Sequence, residues 1–308
     1  MADYSPPTPD KIKSAQNADP QLKLLLAQRR FYSRAKIWGN LRGMGLGLVA
    51  VAAPIVVAIW PDTEVWVASI AAIWFALNRL LFRALERYYA VRAATLQERF
   101  DTKVFGMPDL AVRDTVVLEE EITRLTGGRI RRRKAYSDEK LRGWYVIDET
   151  VNGGVAVALA QRGNVAYTQT LLGRASALWL GFLIVWIVVA ITVGIVANFS
   201  LSTWLLAVAL PVLPPWLDAF DEWVRVRSAG KERRALVGEI ESAARSDKAE
   251  SIRPEQLLAW QSQLFALRRD APLVPDWIYW FFRKQTEREM SEATRSFSAE
   301  INRGEEAQ

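Results

Sequence analysis

The residues of this chain best suited to chemistry are cations and flat side chains gathered in one stretch. Arg129, Arg131, Arg132, Arg133 and Lys134 form the run RIRRRK, and Trp144, Tyr145, Gln161, Arg162 and Asn164 follow it. Guanidinium groups hold phosphate oxygens through paired N–H donors, and aromatic faces stack on nucleobases. Together they offer the chemistry of a nucleotide pocket. A plainer use is also open: RIRRRK against anionic lipid headgroups, with Trp144 and Arg162 packing the domain. Two carboxylates, Glu98 and Asp101, share a helix face at a spacing of three. With Asp138 and Glu139 they suggest acid–base or metal chemistry, but pairing with arginines such as Arg29 or Arg30 is the simpler expectation.

What is missing narrows the classes. The chain of 308 residues has no His and no Cys, which excludes thiol nucleophiles, disulfides, Ser-His-Asp triads and a histidine pH switch. The expectation is therefore no enzyme, no catalytic residue, no metal and no cofactor. A net charge of +6 would suit a nucleic-acid partner, but it also suits loops that fix a membrane protein's orientation, and direct nucleic-acid binding is not expected.

The elements that must position these residues follow from hydropathy. Mean hydropathy is only +0.02, an average over segregated blocks. Residues 43–60, 65–81, 175–197 and 201–217 are apolar runs of the length that a bilayer core of about 30 Å requires. The turns at 61–64 and 198–200 are too short for anything but hairpins, and they carry no Lys or Arg. Basic residues instead flank the other ends: Arg29, Arg30, Arg34, Lys36 and Arg42; Arg83, Arg87 and Arg92; Arg162 and Arg174; Arg225, Arg227, Lys231, Arg233 and Arg234. The rule that cations stay inside places both termini in the cytoplasm. Pro211, Pro214 and Pro215 predict a kink or break in the fourth span. Gly39, Gly43 and Gly47 recur every four residues, a helix-packing face that suits either a seam between protomers or contact within one unit.

The expected fold class is an all-α membrane protein with two transmembrane hairpins and a mainly helical cytoplasmic domain. Residues 1–19 read as a flexible tail, 20–42 as an amphipathic helix and 43–81 as the first hairpin. A sensor segment follows at 82–174, the second hairpin at 175–217 and a helical segment at 218–308. The second span should continue as a helix until Gly106–Pro108 ends it, and 155–160 reads as a short strand or the foot of the third span.

Five motifs set around these spans carry a resemblance: LLAQRRFYSRAK at 25–36, AATLQERFDTKVFGMP at 93–108, LRGWY at 141–145, QRGNVAYTQTLLGR at 161–174 and WQSQLFALRRDAPLVPDWIYWFFR at 260–283. In order and spacing the chain resembles the SMODS-associated four-transmembrane effectors, pore-forming proteins of bacterial anti-phage systems signalled by cyclic oligonucleotides. Ala160 stands where that family tends to have Cys before Gln-Arg. The resemblance implies a cytoplasmic sensor, a cyclic oligonucleotide supplied by a cognate nucleotidyltransferase, and permeabilisation of the bacterial inner membrane. The spans themselves offer few polar groups, so a pore would need several protomers around an axis. The rivals are a non-conducting scaffold or regulatory subunit, a small ion channel or transporter, and a membrane-bound enzyme.

Overall fold

The computed structural model describes residues 4–108, 115–245 and 252–276, and residues 278, 281, 282, 285, 286, 288, 289, 292 and 296 beyond them. Side chains at some positions between 46 and 64 and between 203 and 215 lie outside the description. Every regular element among the described residues is helical. The helices are α1 (Pro9–Gln16), α2 (Asp19–Ile59), α3 (Glu64–Leu77), α4 (Arg83–Val104), α5 (Glu119–Thr126), α6 (Arg129–Asp138), α7 (Gly153–Val196), α8 (Leu201–Trp204), α9 (Leu210–Arg245) and α10 (Pro254–Arg269).

Length organises the molecule. At 1.5 Å per residue α2 and α7 run about 60 and 65 Å, roughly twice a bilayer core. Among the described residues two helices are long and apolar enough to cross a membrane, the continuous Val65–Val104 and Gly153–Val196. Their most apolar stretches have only 11% and 6% of residues buried, unlike the core helix of a soluble protein. One end of each long helix is instead packed. Leu22, Leu25, Leu26, Phe31, Leu96, Phe100, Val155, Val157, Ala158, Leu236, Ile240, Leu257, Trp260 and Leu264 form one buried core at the polar ends of α2, α4, α7 and α9, with α10 laid across them. Toward the apolar ends Trp66, Ile70, Leu80, Val185, Ile195 and Val196 stand exposed.

Several expectations are met and others corrected. Residues 155–160 are the foot of α7, whose first turn is capped by the Asn152 side chain accepting from Val155 N–H at 2.9 Å. The second span does continue into α4, through a π turn at Asn78–Phe82. Residues 9–16, read as flexible tail, form α1: Ile12 and Gln16, one turn apart, are buried, and Tyr4 donates its hydroxyl to Phe105 O at 3.0 Å. Within the expected sensor segment a short helix forms at Glu119–Thr126, with Ile122 and Thr126 buried. The three prolines of the fourth span do not break it. A π turn at Leu205–Ala209 precedes them, and α9 runs as one helix through 211–215.

Each hairpin lays a tryptophan of its returning strand of chain on a glycine of the outgoing helix. A Cβ at Gly45 would strike the Trp74 ring, and one at Gly194 would strike Trp204, whose indole N–H donates to Ala190 O at 2.9 Å. Gly43 has nothing within 4 Å of its Cβ position, and at Gly39 the nearest atom is the Glu86 Cδ at 3.4 Å. Gly47 lies within α2, at a position whose surroundings are outside the description. Gly45→Val is therefore expected to destabilise the detergent-solubilised protein by about 1–3 kcal/mol, the cost of overpacking. Gly43→Val should leave its thermal midpoint within measurement error.

Candidate functional site

Polar residues inside the helical core meet at one junction. Asp101 on α4 accepts from Arg268 Nη1 on α10 at 2.5 Å and from the Tyr145 hydroxyl at 2.5 Å. Gln261 Nε2 reaches both Glu98 Oε2 at 2.6 Å and Asp101 Oδ2 at 3.2 Å. Gln161 on α7 donates to Gln261 Oε1 and to Leu257 O, each at 3.0 Å. The Gln16 amide of α1 closes the far side, exchanging two bonds with the Tyr145 backbone at 2.8 and 3.2 Å. All these side chains are buried, Gln261 completely.

The sequence builds this junction by placing polar residues on apolar stripes. On α10 Leu257, Trp260, Gln261, Leu264 and Arg268 share one face, so Gln261 and Arg268 enter the core with their neighbours. The Tyr145 loop is turned inward by Gly143, which holds φ +63 and donates its N–H to Asn17 Oδ1 at 3.0 Å.

Electrostatics follow from burial. Burial, and then the Asp101 charge, push the Tyr145 phenol well above its ordinary range, so it remains a donor. Burial works against the Arg268 guanidinium, but Asp101, Tyr145 and Glu98 together outweigh it and keep the cation protonated. Nearby Arg233 donates to Ala229 O and Leu267 O at 2.8 and 2.5 Å, and burial lowers it to about 10. Nε and Nη2 of Arg268 have no hydrogen-bond partner among the described residues. The junction is sealed and consists of two carboxylates, one cation and four amide or phenol donors; it is built to join helices.

Lys134 is exposed on α6, and the other nine residues read from sequence as ligand contacts lie in three places. Arg129, Arg131 and Arg133 stand exposed on α6. Arg132 is held by Gly127 O at 3.4 Å and Asp19 at 3.8 Å. Tyr145 and Gln161 belong to the junction, with Trp144 half-buried against the core. Arg162 makes two bonds to Glu241 Oε1 at 2.9 and 2.6 Å, and Asn164 beside it is half-buried. A cleft of about 490 Å³ between α9 and α10, lined by Glu232, Arg233, Glu239, Leu267 and Asp270, contains none of the nine. Glu98 and Asp101 pair with Arg268, whereas Arg29 and Arg30 bind Glu139, at 2.7 Å to its carbonyl and 2.5 Å to its carboxylate. Sequence reasoning missed Gln261, Arg268 and Gln16; the polar residues on the α10 stripe were the available signal. Among the described residues no cluster of three or more metal-ligating side chains occurs.

Arg268→Met alone should cost about 3–5 kcal/mol, because it strands two carboxylates in the core. Adding Glu98→Gln and Asp101→Asn should recover most of the loss, as read by thermal unfolding in detergent.

All five motifs quoted from the sequence supply buried residues to this region: Gln28, Gln97 with Glu98 and Asp101, Tyr145, Gln161, and Gln261 with Arg268. No solved structure matches the chain. A protein of Bacillus cereus (strain VD146) named "probable CBASS effector molecule" is 23% identical over 283 residues, covering 89% of this chain and 94% of the relative. The model of the SMODS-associating 4TM effector domain matches residues 10–297, and the chain belongs to that family.

Proposed function

We propose that this protein is the membrane effector of an anti-phage system, permeabilising the bacterial inner membrane as an oligomer when a cyclic oligonucleotide binds its cytoplasmic bundle. The family supports the defence role, since its curated relative is named a probable CBASS effector. The observation that carries the mechanism is continuity. The helices that bury the polar junction are the same ones that expose apolar surface at their other ends. Four spans, with both termini cytoplasmic, account for the basic flanks and for the hairpin contacts at Gly45 and Gly194.

Among the described residues, two hydroxyls of the spans are spent on their own helices. The Ser69 hydroxyl donates to its own helix at Val65 O, 2.7 Å away, and Thr192 to Val188 O at 2.8 Å. Water would therefore pass between protomers, along surfaces left apolar at rest and closed by dewetting. The exposed arginines of α6 are the cations best placed to meet a phosphodiester from solution, with the loop at Trp144 beside them in the chain.

The test is dye release from vesicles of bacterial polar lipid carrying the purified chain, challenged with a panel of cyclic di- and trinucleotides made by nucleotidyltransferases. At least one should release dye, and the double variant Arg131→Glu/Arg133→Glu should weaken its binding at least ten-fold, the worth of a charged hydrogen bond. Silence with every nucleotide, from protein shown to be inserted, would favour a non-conducting scaffold.

A further inference from the structure

A second ionic cluster sits apart from the junction, where three helices leave the polar bundle. Arg42 on α2 lies 3.3 Å from Glu86 on α4, through Nε and Oε2, and 3.7 Å from Glu222 on α9. Glu222 also meets Arg225, one turn along its own helix, at 2.8 Å. The Arg42, Glu86 and Glu222 side chains are only 13%, 11% and 11% exposed. Each stands next to an apolar run: Arg42 directly precedes 43–60, Glu86 follows 65–81, and Glu222 follows 201–217. Gly39, one turn before Arg42, presents its bare Cα to the Glu86 carboxylate.

The bonding here differs from that at the junction. Asp101 and Arg268 share an aligned hydrogen bond, and Tyr145 and Gln261 add donors. Arg42 Nε and Glu86 Oε2 lie within ion-pair distance, yet neither makes an aligned hydrogen bond. A nearly buried ion pair with its hydrogen-bonding capacity unfilled sits close to break-even between desolvation cost and Coulomb attraction. Such a contact closes when the helix ends are brought together and releases when they are drawn apart. It acts as a catch.

We infer that Arg42, Glu86 and Glu222 form a releasable ionic clamp that holds α2, α4 and α9 together in the resting protein, at the level where their apolar runs leave the polar bundle. This rests on the membrane-effector reading for its consequence, because opening the clamp is the movement that would let those spans separate. The clamp itself is a property of the helix ends and is measurable without any conductance.

The experiment uses the full chain in vesicles without nucleotide, comparing wild type with Glu222→Gln, Glu86→Gln and Asp221→Asn. Asp221 is exposed, one residue from Glu222, and controls for lost charge. Amide exchange over residues 36–46 and 218–230 should quicken roughly five- to ten-fold in both Gln variants, as a shifted open population requires, and stay unchanged in Asp221→Asn. Basal dye release should rise in the same two variants. Where a Gln variant fails to fold, Arg42→Lys serves: it keeps the charge but cannot span two carboxylates, and should give an intermediate rise. Unchanged exchange in the folded variants, or an equal rise in Asp221→Asn, overturns the clamp whatever the leakage. Faster exchange with no leakage from any variant upholds the clamp and tells against permeabilisation.

Discussion

Two unlike solvents act on the same helices, and almost everything else follows from that. In hydrocarbon a backbone carbonyl has no water to turn to, so a helix that enters the bilayer must keep its ladder intact. The helix continues across Pro211, Pro214 and Pro215, with a π turn before them, although each proline takes one N–H out of the ladder. The same helices continue into an aqueous bundle, where burial rather than lipid must satisfy their apolar face. The division is visible along α7: Val155 to Ala175 contribute repeatedly to the buried set, after which only Leu183 does. One long element thus carries two kinds of surface, end to end.

The aqueous bundle is unusually committed to polar contacts for its depth. Glu98 and Asp101 cannot be buried as bare anions, since uncompensated charge in a core costs several kcal/mol. Arg268 and the Gln261 and Tyr145 donors must therefore arrive together, which fixes α10 against α4 and draws the loop ending at Tyr145 inward. Apolar packing alone would tolerate sliding of one helix on another; directional bonds from α10 and from the Tyr145 loop to one carboxylate do not. Outside the junction Arg174 plays a similar part, binding Glu289 at 2.9 Å and Thr286 at 2.7 Å and covering Phe282 at 4.6 Å. That contact sets the C-terminal segment against α7.

How much of this could be read beforehand depends on the range of the interaction. Apolar run lengths and the hairpin turns are local, so the helical class and the continuation of the second span into α4 were legible. The pairing of Glu98 and Asp101 with an arginine was legible in kind and missed in partner. Several arginines in the sequence could answer those acids, and only the crossing of α10 over α4 selects Arg268 above Arg29 and Arg30. The glycines show the same limit. Spacing favours Gly39, Gly43 and Gly47, but the rotation of the helix puts Gly45 against Trp74, and spacing alone does not give that rotation. Tyr145 and Gln161 have the chemistry of ligand contacts, yet burial gives that chemistry to the protein itself.

Charge is placed in this molecule with two different strengths of attachment. At the junction each carboxylate meets aligned donors, and the geometry leaves one arrangement of α4, α10 and the Tyr145 loop. Where the helices leave the bundle, Arg42 divides its charge between Glu86 and Glu222 without an aligned bond to either. The α3–α4 helix also carries its π turn, Asn78–Phe82, just beyond Glu86, with Trp38 and Trp74 both against Phe82. A fixed bundle, a loosely bonded collar and an irregular turn follow one another along a single helix. Displacement imposed on the fixed part has few places to be absorbed along α4, and the first it meets is that collar.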